Sequence, residues 1–392
     1  MPEAEPHAAA EGGPDRAAHA AAEGGPDGAK RVSWAELFFD LVFVFAITQL
    51  STLLHADHSW AGIGRAVVAF VPIYWAWVGM SVHANTRDVE NPLDRLGIFT
   101  VGLGSLYMAL AVPAVYSGQA VFFAACYLGS RIVLLALVLR GRRLFVNPFS
   151  VAVVVSGPLR LVGAFLPEPW LVALWAVAAV IDICTPAVAR RLVLAQIQFH
   201  PLHLPERFGL FLIIALGESI VAIGVAASTA ARLGALTVLA VAVAFTLACG
   251  LWWIYFIFSA SAIEHSVTVG RVRADVIREV LSYGHFALIG AIVAIAVGLR
   301  DVVADPAHHL DLGTGGLLCG GLALYLATLG VLRARMGQGW SPRRLVAALL
   351  ALVPLPFAPM LPAVVELAYL AVLFVGVALS EHTWDTRAEH RR

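Results

Sequence analysis

Glu36 and Asp40 lie four residues apart in ELFFDLVFVFAITQL (residues 36–50), a spacing that sets two carboxylates on one face of a helix. The stretch around them is apolar enough to cross a bilayer, where a charge at the helix centre costs about 2.5–3.5 kcal/mol on insertion scales. A third acid, Glu218, falls about half-way along another such stretch. Membrane acids with no basic residue in their own span face a wet cavity or carry a proton. Their chemistry is the coordination or relay of a monovalent cation or a proton.

Depth separates the intramembrane charges. Glu36 sits near the inner interface and is expected to reach water; Asp40 lies one turn deeper. Arg131 is near mid-depth, Asp182 in the inner part of its helix, and Arg160 and Glu366 in the outer third. Arg131 with Glu218, and Arg160 with Glu366, match in depth and form a rival reading in which the charges only hold helices together. The histidines of HPLH (His200–His203) are spaced for a metal, but Pro201 opposes a regular helix and no acid completes the site. His285 reads as a hydrogen-bonded interfacial histidine, and His308 and His309 as part of a solvated outer loop. Trp75, Trp77, Trp252 and Trp253 sit mid-span and read as core packing. Cys126, Cys184, Cys249 and Cys319 fall in apolar stretches and read as small core residues, with no disulfide, no metal site and no cofactor expected. No phosphate-cradling, zinc-protease or nucleophile-elbow motif is present.

These residues need a membrane fold to position them. Of 392 residues 60% are hydrophobic and 13% charged, and mean hydropathy is +0.83. Soluble domains average about 25% charged. The balance fits an all-α polytopic membrane protein, and a formal net charge of zero excludes nucleic acid as a partner. Apolar runs mark about twelve transmembrane helices, near 35–55, 61–83, 96–116, 118–140, 144–166 and 169–189, then 207–229, 235–260, 282–300, 312–333, 342–361 and 362–382. The tight hairpins at 116–118 and 361–362 leave room for a re-entrant segment. With the N-terminus inside, only Arg65, Arg232 and Arg300 of the 26 Lys and Arg face out. Arg131 and Arg160 lie within spans and the rest, Arg207 among them, are inside, as the positive-inside rule requires. Both termini are thus cytoplasmic.

An internal repeat divides the chain. Trp75 follows Asp40 by 35 residues, and Trp253 follows Glu218 by 35; Cys126–Arg140 matches Cys319–Arg333 in length; RRL precedes Pro158 and Pro359 at equal separation. The expected organisation is a disordered cytoplasmic tail at 1–32, six-helix repeats at 33–195 and 196–383, and a tail at 384–392. An even number of spans makes the repeats parallel, with a pathway expected between them and Asp40 and Glu218 as equivalent acids.

ELFFDLVFVFAITQL and HLPERFGLFLIIALGESIVAIG (203–224) resemble the two signature stretches of the bacterial low-temperature-requirement A family. NPLDRLGIF, FTLACGLWWIYF and YGHFALIGAIVAIAVGL extend the likeness over about 33–382. The resemblance implies a multi-pass protein of the cytoplasmic membrane; the family's name records a need in cold growth, a phenotype rather than a mechanism. A shorter likeness joins the first helix to the lysosomal-type two-repeat potassium channels, whose first helix reads F-S-D-G-V-F-A-I-A-I-T. Phe38, Asp40, Val42, Phe43, Ala46, Ile47 and Thr48 match, while Phe39 replaces the signature serine. That likeness implies that Asp40 and Thr48 face or brace a pathway, with Glu218 and Ser219 supplying polar groups in the second half. The leading expectation is an ion- or proton-linked channel or transporter, not an enzyme, with membrane lipids and monovalent cations or protons as partners. A homodimer is compatible with this. The alternatives are a membrane-embedded lipid-acting enzyme using Glu36, Asp40 and His203 or Glu206, and a non-catalytic structural or regulatory membrane protein.

Overall fold

A computed structural model of the protein describes residues 30–87, 89, 91–140, 148–188, 200–229, 233–269 and 277–389. Almost all of the expected N-terminal tail, the first RRL at 142–144 and the arginine-bearing stretches 189–199 and 270–276 lie outside these residues. Among the described residues the regular structure is helical, apart from one isolated bridge between His309 and Pro362. Val32–Arg392 packs as one unit.

The helices are α1 (Trp34–Ala56), α2 (Trp60–Thr86), α3 (Pro92–Ala111), α4 (Ala120–Leu139), α5 (Pro148–Gly163), α6 (Trp170–Val188) and α7 (His203–Thr229). They continue as α8 (Ala235–Phe256), α9 (Ala260–Val269), α10 (His285–Ala304, entered through a π-helical turn at Ile277–Gly284), α11 (Leu312–Arg335), α12 (Pro342–Ala351) and α13 (Ala363–Glu389). Ten segments are long and apolar enough to span a bilayer. The chain is an all-α polytopic membrane protein.

Among the described residues, two of the twelve expected spans, 144–166 (described from Pro148) and 342–361, hold shorter helices than the rest, and proline interrupts both. In 144–166, Pro158 has no N–H to give the carbonyl four residues back. The helix relaxes into a π turn at Ala152–Ser156. In 342–361 the helix stops at Ala351, ahead of Pro354, Pro356 and Pro359. Its 10 residues reach about 15 Å, half a hydrocarbon core. At the other tight hairpin, Gly118 takes φ +144°, open to glycine without strain. The C-terminal helix runs to Glu389, past the expected tail boundary at 384.

Helix starts follow local chemistry. Ser33 caps α1 in a reciprocal box with Glu36: the Glu36 N–H donates to Ser33 Oγ, and the Ser33 N–H donates to Glu36 Oε2 at 2.9 Å. Asn91 caps α3 ahead of Pro92, and Asp311 caps α11. In packing, α1 lies on α2 and α3, α3 on α4, α4 on α5, α5 on α6, and α6 on α2. From His203 onward α7 lies on α8 and α10, α10 on α11, α11 on α12, α12 on α13, and α13 on α8. Helix α1 also meets α7 and α10, and α2 meets α7. Buried aromatic rings fill this junction. Trp77 stacks on Phe211 at 4.1 Å and Phe70 on Phe286 at 4.8 Å, with Phe43 edge-on to Phe211 at 5.8 Å.

Candidate functional site

The residues that join α1, α2 and α7 form a buried polar cluster at the N-terminal end of α1. Arg207 reaches both acids: its Nη2 donates to Asp40 Oδ1 at 2.8 Å, and its Nη1 stands 3.3 Å from Glu36 Oε1. Trp77 Nε1–H donates to the same Asp40 oxygen at 2.8 Å, and the guanidinium lies over the Trp77 ring at 5.6 Å. His203 Nε2 is 3.1 Å from Glu36 Oε1. Asn85 accepts from the His200 N–H and donates to the His200 carbonyl, which fixes its amide and leaves Nδ2–H toward His203 Nδ1 at 3.2 Å. His203 is therefore the neutral tautomer whose proton sits on Nε2, the nitrogen that faces Glu36. All four of Glu36, Asp40, His203 and Arg207 are buried.

This corrects three expectations. Glu36 does not reach water: it is 1% exposed, held by Ser33, His203 and Arg207. Arg207, counted as an inner-side charge at the first residue of its expected span, is fully buried, because α7 begins four residues earlier and carries it inward against α1. The histidine of HPLH does meet an acid. The S-x-x-E sequence at Ser33–Glu36 was a readable capping signal that explains why an acid opens this helix.

A second polar group lies eight residues further along α1, about 12 Å on. Thr48 Oγ1 donates to Glu218 Oε2 at 2.6 Å, and Ser51 lies within hydrogen-bond reach of the same carboxylate. Ser219 is fully buried, and its Oγ has no partner. Phe43, Trp77 and Phe211 fill the space between the two groups. Thr48→Val should leave Glu218 short of a donor and destabilise the protein by about 1–3 kcal/mol. Chemical unfolding in mixed micelles would measure it, and an unchanged midpoint would refute the contact.

The remaining charges pair differently from the depth match. Arg160 Nη1 binds Asp182 Oδ2 at 2.8 Å, not Glu366, and Tyr127 and Ser156 also donate to Asp182 at 2.7 and 2.6 Å. Glu366 Oε1 accepts from Cys319 Sγ at 3.1 Å. The Arg131 and Arg160 guanidinium groups both lie over the Tyr127 ring, 5.1 and 4.5 Å from its centroid. Both differ because neighbouring helices and the direction each side chain faces, not depth alone, choose the partner. Sequence reasoning missed Arg344, which binds Glu381 through two bonds of 2.5 and 2.8 Å and also Ser259. Trp252 and Trp253 are 39% and 47% exposed, so they face outward rather than into the core; Cys184 and Cys249 are exposed as well. His285 is buried, accepting from Tyr255 Oη at Nε2 (2.6 Å) and donating from Nδ1 to the Val280 carbonyl (3.1 Å).

Two cavities adjoin the junction. One, of about 370 Å³, is lined by Glu206, Tyr255, Phe256 and Glu264; the other, of about 980 Å³, by Leu50, Leu54, His58, Phe70, Phe286 and Leu324. Glu36, Asp40, Thr48, Glu218 and Ser219 line neither.

Residues 31–379 match the family model of the bacterial low temperature requirement A protein (LtrA). The chain belongs to the LtrA family. It is also 31% identical, over 315 residues, to an uncharacterised protein of Rhizobium meliloti (strain 1021), with 76% of each chain covered. No solved structure matches it. The LtrA match takes in the α1 and α7 segments that carry the inner cluster, so both signature stretches meet at one place: the first supplies Glu36 and Asp40, the second His203 and Arg207.

Proposed function

We propose that this LtrA-family protein is an ion- or proton-linked channel or transporter of the cytoplasmic membrane, with its pathway along the seam of α1 and α7. The observation that carries the reading is the charge count of the inner cluster. Two buried carboxylates share one guanidinium, and His203 as the neutral tautomer adds no second full charge. Asp40 Oδ2 is buried with no hydrogen-bond partner. A proton or a monovalent cation at that oxygen would neutralise the cluster, and burying an uncompensated charge otherwise costs several kcal/mol.

The polar face of α1 supports a track rather than an isolated site. Glu36, Asp40, Thr48, Ser51 and His55 follow one another along the helix, and α7 meets it twice, with Arg207 and with Glu218. The aromatic layer of Phe43, Trp77 and Phe211 then closes the track between its two polar groups. In support of two parallel repeats, the packing order is the same in both halves: first helix on second and third, third on fourth, fourth on fifth, fifth on sixth, sixth on second. The fifth helix is the proline-broken one each time, and each pairs an arginine with an acid of the sixth: Arg160 with Asp182, Arg344 with Glu381.

The test is flux from purified protein in liposomes under potassium, sodium and proton gradients. Flux above empty vesicles is expected under one of them, falling about tenfold or more in Asp40→Asn, the effect of about 1.4 kcal/mol on a barrier. No flux under any gradient from folded protein would overturn the reading. The lipid-acting enzyme has one observation in its favour, the 3.1 Å approach of His203 to Glu36. It requires turnover that survives Glu218→Gln, whereas the pathway reading requires that variant to alter flux.

A further inference from the structure

At the far end of α1 from the acid cluster, the turn into α2 meets the last turn of α10 and the start of α11. His55, His58 and Asp301 converge there; each offers one ligand atom, and the three atoms lie within 4.8 Å of one another. The two imidazole rings are 5.5 Å apart. We propose that these three residues bind one divalent transition-metal cation of the zinc type, on the face that the basic-residue count assigns to the outside.

The hydrogen bonds prepare the ligands. Thr314 Oγ1 stands 2.8 Å from Asp311 Oδ2 and 3.0 Å from His58 Nδ1. Its single proton goes to the carboxylate, so His58 Nδ1–H donates to the hydroxyl and the ring is the tautomer with a lone pair on Nε2. That Nε2 is shielded from solvent and has no hydrogen-bond partner. A histidine whose other nitrogen is held by an oxygen is the usual arrangement of a metal ligand. Asp311, in turn, is fixed as the cap of α11 by the N–H groups of Gly313 and Thr314. His55 Nδ1 is likewise shielded and unbonded, 3.4 Å from Asp301 Oδ1. The second oxygen of Asp301 is 3.3 Å from Thr314 Oγ1, which leaves the first for a metal.

Two imidazoles and one carboxylate suit zinc and its neighbours, whereas calcium and magnesium take oxygen ligands. Arg300 bears on the same cluster, which disfavours an ion held by charge alone and favours one held through nitrogen. Ligand atoms on a tetrahedral zinc stand about 3.4 Å apart, so the side chains close inward by about an ångström. The bound ion would clip the α1–α2 turn to the C-terminal turn of α10, and so the first half of the chain to the second.

The experiment uses untagged full-length protein in detergent, stripped of metal, loaded with zinc and passed over gel filtration. About one zinc per chain is expected. His55→Ala and His58→Ala should each bind at least about tenfold more weakly, while His308→Ala/His309→Ala, altering the exposed histidines of the neighbouring α10–α11 loop, should bind as wild type. Cobalt titration of the wild-type protein should give the visible band of low-coordinate cobalt, a readout that needs no variant to fold. Absence of stoichiometric zinc, absence of the cobalt band, undiminished binding in His58→Ala, or loss in the His308/His309 variant would each overturn the proposal.

Discussion

Arg207→Ala is expected to destabilise the protein by about 3–5 kcal/mol, the cost of leaving a buried ion pair without one partner. The size follows from the geometry: one fully buried guanidinium answers both Glu36 and Asp40, so its removal strands two carboxylates. Trp77 would still donate to Asp40 and His203 would still face Glu36, but neither carries a full positive charge. Equilibrium unfolding in mixed micelles is the measurement. Adding Asp40→Asn to Arg207→Ala should recover part of the loss, since the amide needs no counter-charge. A strictly additive double variant would mean that the two side chains do not interact.

Asp182→Ala should cost a similar amount, about 3–5 kcal/mol, because it strands Arg160, itself fully buried. Tyr127 and Ser156 would lose their acceptor in the same step. Asp182→Asn should be milder, as an amide oxygen still accepts from both hydroxyls. Glu366→Gln distinguishes the structure from a pairing by depth: Glu366 binds the Cys319 thiol rather than an arginine, so the change should stay within about 1.5 kcal/mol, the worth of an ordinary hydrogen bond. A loss for Glu366→Gln as large as that for Asp182→Ala would reinstate Arg160 with Glu366.

The two short helices show what a hydropathy count leaves out. Residues 144–166 and 342–361 read as apolar runs of spanning length, yet Pro158 and the prolines from Pro354 onward interrupt the helices there. Both breaks were legible, because proline acts through its own ring and missing N–H. Glu36 was legible as well, through the capping box that begins at Ser33. Arg207 was hidden by a boundary: counted from where the apolar run begins, it stood at the very end of its span, but the 27-residue helix starts at His203 and carries it inward.

Hydrophobicity, charge and proline are properties of the chain, readable in one dimension, because the bilayer responds to apolar length and a helix to its own backbone. From them came the all-α membrane fold, the position of most spans and the two signature stretches of the LtrA family. Which arginine meets which acid depends on the direction each side chain leaves its helix and on which helices are neighbours. Those are fixed only when the bundle packs. Packing set Arg207 between Glu36 and Asp40, gave Asp182 to Arg160, and brought His55 and His58 to Asp301, more than two hundred residues away in the chain.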